Sequence, residues 1–128
     1  MRFKTYRFGG VCVAKLERYL KGDFYNILHT IHEGIMGGSI SATFEEESHF
    51  DLKNGVQVVT RVYERYSYLG GNRVSLTVTL AKDVDKIHLS AITSGGSQAV
   101  FFKINTFGES AFLDKISQIV DSFEQYLT

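Results

Sequence analysis

Ala42-Thr43-Phe44-Glu45-Glu46-Glu47-Ser48-His49-Phe50-Asp51-Leu52, then Lys53-Asn54-Gly55, then Val56-Gln57-Val58-Val59-Thr60-Arg61-Val62-Tyr63-Glu64-Arg65-Tyr66: on both sides of an Asn-Gly turn, apolar and polar side chains alternate. Alternation with period two is the pattern of a strand that buries one face. It runs from Ser39 to Asn105, broken at Asn54-Gly55, Gly70-Gly71-Asn72 and Gly95-Gly96. The stretch therefore predicts a meander of antiparallel strands joined by tight hairpins.

Parity assigns residues to faces. Ile40, Ala42, Phe44, Glu46, Ser48, Phe50 and Leu52 share one side of the first strand. Val56, Val58, Thr60, Val62, Glu64, Tyr66 and Tyr68 share one side of the second. A three-residue Lys53-Asn54-Gly55 loop, with glycine in the left-handed region, sets Phe50 opposite Val58. A three-residue Gly70-Gly71-Asn72 loop sets Tyr66 opposite Leu76. The third strand then buries Val74, Leu76, Val78 and Leu80. After a looser connection from Ala81 to Lys86, the fourth buries Ile87, Leu89 and Ala91. A Gly95-Gly96 turn pairs Leu89 with Phe102 and Ile87 with Ile104 in a fifth strand.

Helical periodicity flanks this region. Asp23 is placed to cap a helix whose stripe is Phe24, Ile27, Leu28, Ile31 and Ile35, with Gly37-Gly38 stopping it. Thr106-Phe107-Gly108-Glu109 fits a capping box before Phe112, Leu113, Ile116, Ile119, Val120, Phe123 and Leu127. Arg2 to Phe8 reads as a short edge strand. Val11 to Lys21 is ambiguous, since Val13, Leu16 and Leu20 also sit at helical spacing. Amphipathic helices need an apolar surface and the inner sheet face supplies one, so the fold class is α+β. The expected architecture is a two-layer sandwich, with a meander sheet of about five strands and two or three helices on one face.

The chain has 128 residues, 44% hydrophobic and 22% charged, which is the size and composition of one globular domain spanning 1–128. Fourteen basic residues balance fourteen acidic ones. No overall field draws the protein to nucleic acid or to an anionic membrane. Cys12 is the single cysteine, which rules out an internal disulfide and a cysteine-rich zinc site. With no membrane-length apolar run and no signal-peptide core, a cytoplasmic location is expected.

The runs Val62-Tyr63-Glu64-Arg65-Tyr66-Ser67, Asn72-Arg73-Val74-Ser75-Leu76 and Ile92-Thr93-Ser94-Gly95-Gly96-Ser97-Gln98, with Phe102-Lys103-Ile104-Asn105-Thr106-Phe107-Gly108-Glu109, resemble a small Firmicutes family known only as a domain of unknown function. The resemblance covers roughly Ile35 to Leu127. It implies membership and transfers no activity. The coarse layout also resembles helix-on-sheet ligand binders of the Bet v 1-like class, an analogy of fold alone.

Parity puts Glu46 and Glu64 on the inner face, diagonal across one strand pair at about 7 Å between Cβ atoms. A buried carboxylate needs a partner, access to water or a raised pKa, and paired carboxylates can do acid–base chemistry. Tyr66 and Tyr68 share that face near the end of the sheet. The candidate ligand-binding set is therefore Glu46, Glu64, Tyr66 and Tyr68, for a small, partly apolar ligand between helices and sheet. His29, His32 and Glu33 lie on one helix, but histidines three apart with no third ligand do not fit a zinc-enzyme pattern, and no metal or cofactor is expected. Ser94-Gly95-Gly96-Ser97 reads as a hairpin turn and lacks the lysine of a phosphate loop. Parity sends Arg61, Tyr63, Arg65, Ile92 and Phe101 to the outer face, where a mixed polar and apolar surface suits a homodimer interface. The expected function is that of a non-enzymatic domain that self-associates and binds a small ligand. An enzyme using Glu46 and Glu64, or an interaction module with a solid core, are the alternatives.

Overall fold

The structure is a computed structural model that describes residues 3–8, 11–37, 42–67, 72–95 and 109–123, with side chains at 13–37, 42–65, 73–95 and 113–123. In chain order the elements are β1 (Phe3–Phe8), β2 (Val11–Leu20), α1 (Phe24–Met36), β3 (Ala42–Asp51), β4 (Gln57–Ser67), β5 (Asn72–Asp83), β6 (Lys86–Gly95) and α2 (Glu109–Val120). The six strands form one antiparallel sheet in the order β1-β2-β6-β5-β4-β3. The α+β class and the meander are as the alternation predicts. The ambiguous segment from Val11 is a strand, because the apolar side chains of Ala14, Leu16 and Leu20 alternate into the core.

Helix α1 follows its sequence signals closely. The Asp23 carboxylate accepts the Asn26 backbone N–H at 2.9 Å, and Phe24, Ile27, Leu28, Ile31 and Ile35 are the buried stripe. Helix α2 buries Leu113, Ile116 and Val120 completely; the expected capping box at 106–108 and the side chains of Phe112 and Leu127 lie outside the described residues. The helices meet at Gly34, where an added Cβ would lie 2.3 Å from Ile119 Cδ1. Glycine permits that close crossing at the usual cost in helix propensity.

The core lies between the helices and one sheet face. Leu16 and Leu20 of β2, Val74, Leu76, Val78 and Leu80 of β5, and Ile87, Leu89 and Ala91 of β6 are at most 2% exposed. Each large aliphatic side chain so buried contributes roughly 1.5–3 kcal/mol. Helix α2 packs on β2, β5 and β6, while α1 lies beside it and reaches β3.

Two expectations of register are corrected. The first hairpin does turn through Lys53–Gly55 with Phe50 opposite Val58, and Asn54 and Gly55 take positive φ of 64° and 75°. The next hairpin, however, pairs Ser67 with Asn72 and Tyr63 with Leu76. Relative to a Gly70-Gly71-Asn72 loop, that shifts the register by an odd number of residues and turns over β4, together with β3 from Glu46 onward. Tyr63, Val59 and Arg65 thus face the helices, whereas Val58, Val62 and Glu64 face outward. Alternation could not decide this, because β4 carries valines on both faces. The second correction concerns β6. Its edges are filled by β5 and β2, so Leu89 lies beside Arg18 and Ile87 beside Leu20 instead of residues 102 and 104. Residues 96–108, which include Phe101, lie outside the described residues.

Candidate functional site

A bulge in β3 supplies the site's geometry. Phe44 pairs with Tyr63 and Glu46 with Val62, leaving Glu45 as an extra residue. An extra residue reverses which side chains point inward beyond it. Phe44 before the bulge, and Glu47 and His49 after it, all share the helix side with Tyr63, Arg61 and Val59. The helices cover this end of the sheet only partly, so Phe44 is 42% exposed while Tyr63 beneath it is 1% exposed.

Five side chains meet there. The Tyr63 hydroxyl and His32 Nδ1 are 2.8 Å apart, bridging β4 to α1. The Phe44 ring lies 5.5 Å from the His32 ring and 5.4 Å from the Tyr63 ring, and the Arg61 guanidinium stands 5.5 Å from the Phe44 centroid. Arg61 Nε donates to Glu47 Oε2 at 2.6 Å. Such charge-assisted bonds are strong when water is partly excluded, and the cation over a ring adds a further attraction.

The electrostatics favour the uncharged forms of both His32 and Tyr63. Burial lowers the His32 pKa below its ordinary 6.5, the Arg61 charge lowers it further, and Glu33 and Glu47 oppose them. Burial raises the Tyr63 pKa, partly offset by a hydrogen bond from Arg61. A neutral imidazole and a protonated phenol follow. Neutral His32 pairs with the Tyr63 hydroxyl in either tautomer, Nδ1 accepting the phenol proton or donating its own to the phenol oxygen. The contacts run from His32 through Tyr63 and Phe44 to Arg61, with Glu47 closing the other end of Arg61.

The expected site residues are distributed differently. Glu46 and Glu64 face outward: Glu46 Oε1 accepts the Glu47 backbone N–H at 2.9 Å, and Glu64 pairs with Arg73 at 3.1 Å. Neither is the inner-face carboxylate that parity required. The side chains of Tyr66 and Tyr68 lie outside the described residues. Arg61, Tyr63 and Arg65, expected outside, are inside; Arg65 is 6% exposed and burial lowers its pKa. Ile92 is outward and 38% exposed, as expected. On α1, His29 pairs with Glu33 at 3.7 Å in solvent while His32 turns inward, so the three do not converge. The outer face also holds a shallow depression of about 110 Å³ between Glu17, Tyr19, Thr79, Ala81, His88 and Ser90. That is well below the several hundred Å³ of a typical small-molecule pocket. Sequence reading missed the cluster because parity sent Arg61 and Tyr63 to the outer face, as part of a homodimer interface. The one available signal was His32, which lies beside the apolar stripe of its helix.

The arrangement defines a two-layer α+β sandwich with one sheet face covered by helices and a half-open aromatic and polar site at the β3 margin. The chain belongs to DUF6054, a family of unknown function, whose model matches residues 13–124. A comparison with curated proteins found no match. Among solved structures, the chain is similar to a protein of unknown function from Pseudomonas aeruginosa, PA94, described as a candidate regulator. The two share 8% identity with a TM-score of 0.54 over 99% of this chain and 85% of that one, a likeness of fold alone. An uncharacterised protein from Rhizobium leguminosarum shares 10% identity over 95% of this chain and 99% of that one, at a TM-score of 0.38 too low to carry an argument. No helix among the described residues is long and apolar enough to cross a membrane.

Proposed function

We propose that this chain is a non-enzymatic cytoplasmic binding domain that holds a small, partly apolar ligand between helices and sheet, at Phe44, His32, Tyr63 and Arg61. The observation that carries the reading is Phe44, a half-exposed aromatic ring seated on a hydrogen-bonded His–Tyr pair and beside a cation. The ring offers an apolar contact, and the neighbouring donors orient a polar group. Sites for small molecules combine these features. Native mass spectrometry beside a denatured sample, together with titration by the anionic aromatic dye 1-anilinonaphthalene-8-sulfonate, tests it. The reading requires either a carried mass or dye binding that Phe44→Ala removes. Clean protein whose dye response is indifferent to Phe44→Ala would refute it.

Self-association is a second reading, favoured by the outer sheet face. No described helix covers that face, and it presents exposed Phe50 and Ile92 beside the half-buried Val58 and Val62. The interface so proposed keeps Ile92 and gives up Arg61, Tyr63 and Arg65 to the inner face. Light scattering after size exclusion, with Ile92→Glu as the disrupting variant, measures it; a monomer at all concentrations would eliminate the dimer.

A further inference from the structure

We infer that the β3 margin also receives a polypeptide: an extended, basic segment of a partner protein that adds as a strand to the β3 edge. The inference rests on the reading of that margin as a binding site and names a second class of occupant for it. β3 is the last strand of the sheet among the described residues, and Thr43 to Asp51 are all exposed. Its backbone supplies the docking points. The Leu52 backbone N–H donates to the Val56 carbonyl at 2.8 Å, which makes Leu52 and Val56 a hydrogen-bonded pair. In an antiparallel ladder such pairs alternate with non-bonded ones. The backbone groups of Asp51, His49 and Glu47 therefore point away from β4, toward the open edge. An added strand would bond to these three residues, the recognised mode of strand addition to a sheet edge.

Charge selects the occupant. The strand carries Glu45, Glu46, Glu47 and Asp51 and no lysine or arginine. Of these, Glu47 is neutralised by Arg61, while Asp51 lies 3.4 Å from the His49 ring. Glu45 accepts from the Thr43 hydroxyl, and Glu46 is held by a backbone N–H at the bulge. None of these contacts cancels the charge of Glu45 or Glu46. Pairing with the β3 of a second copy would set carboxylates against carboxylates, which is destabilising directly across a sheet. A segment with lysine or arginine at alternate positions lines one face with cations, which Glu46 meets on the outer side, and turns its intervening apolar residues to the helix side. On that helix side the exposed ring of Phe44 gives them a surface to cover.

The test uses a fluorescein-labelled nonapeptide of alternating lysine and valine, capped at both ends, against the full chain. Three comparisons accompany it: the glutamate–valine counterpart, the lysine peptide N-methylated at alternate residues, and the Glu45→Lys/Glu46→Lys variant. Anisotropy should show binding of the lysine peptide that weakens with salt, and the double variant should weaken it about ten-fold or more. Amide shifts in a two-dimensional ¹⁵N spectrum should centre on 43–51. The glutamate and N-methylated peptides should not bind. Equal binding of the N-methylated peptide would reduce the effect to surface charge and overturn the inference. So would shifts centred elsewhere, no binding at all, or a dimer by light scattering that Glu45→Lys/Glu46→Lys alters and Ile92→Glu does not. The dye response of Phe44 is measured separately, so loss of peptide binding alone leaves the small-ligand site standing.

Discussion

Tyr63→Phe isolates the bond that joins the helix layer to the sheet layer at the candidate site. The substitution keeps the ring, which is 1% exposed and packed against Phe44, and removes only the hydroxyl. His32 Nδ1 loses its hydrogen-bond partner at 2.8 Å. A net hydrogen bond contributes about 0.5–1.5 kcal/mol, and a buried group left without a partner adds part of its desolvation cost. His32 is only partly buried and Arg61 keeps Glu47, so the sum stays near the low end, about 1–2 kcal/mol. With a urea m-value of about 1–2 kcal/mol/M, the midpoint should fall by roughly 1 M with m unchanged. The His32→Ala/Tyr63→Phe double-mutant cycle should return a coupling of about 1 kcal/mol. A loss below about 0.3 kcal/mol, or single effects that simply add, would show that the two groups exchange water as readily as each other and would refute the reasoning.

Other outcomes follow from the same geometry. Because the folded state holds His32 below 6.5, the unfolded chain binds the proton first; stability is intact above about pH 6.5 and declines as pH falls below it, and His32→Gln should flatten that part of a urea-midpoint profile. Gly34→Ala should destabilise by about 1–2 kcal/mol despite better helix propensity, since the new methyl meets Ile119 at 2.3 Å, and Ile119→Ala in the same chain should recover most of the loss in thermal unfolding. Val84 holds φ 56° in the β5–β6 turn with 74% exposure, so Val84→Gly should raise the urea midpoint, by about 0.5–1 kcal/mol in stability, by relieving the β-branched side chain. Glu64→Gln should change unfolding stability by under about 0.5 kcal/mol and leave the dye response intact, because its partner Arg73 is 69% exposed.

Much of this molecule is legible in one dimension because its signals are local. Asp23 caps a helix with the side chain it carries, the stripe from Phe24 to Ile35 needs only a period of 3.6, and Lys53-Asn54-Gly55 sets its own hairpin register through two positive φ angles. What alternation defines is which residues share a side, never which side the helices cover. Val58 and Val62 compete with Val59 and Tyr63 on nearly equal terms, and the contest is decided by the register across residues 68–71 and by the bulge at Glu45. Both add an odd number of residues, and an odd number inverts a strand. The candidate site therefore belongs to tertiary structure alone. His32, Phe44, Glu47, Arg61 and Tyr63 come from three elements, and only the packing of α1 beside β3 and β4 turns a helix-boundary histidine and a surface-like arginine into one hydrogen-bonded cluster.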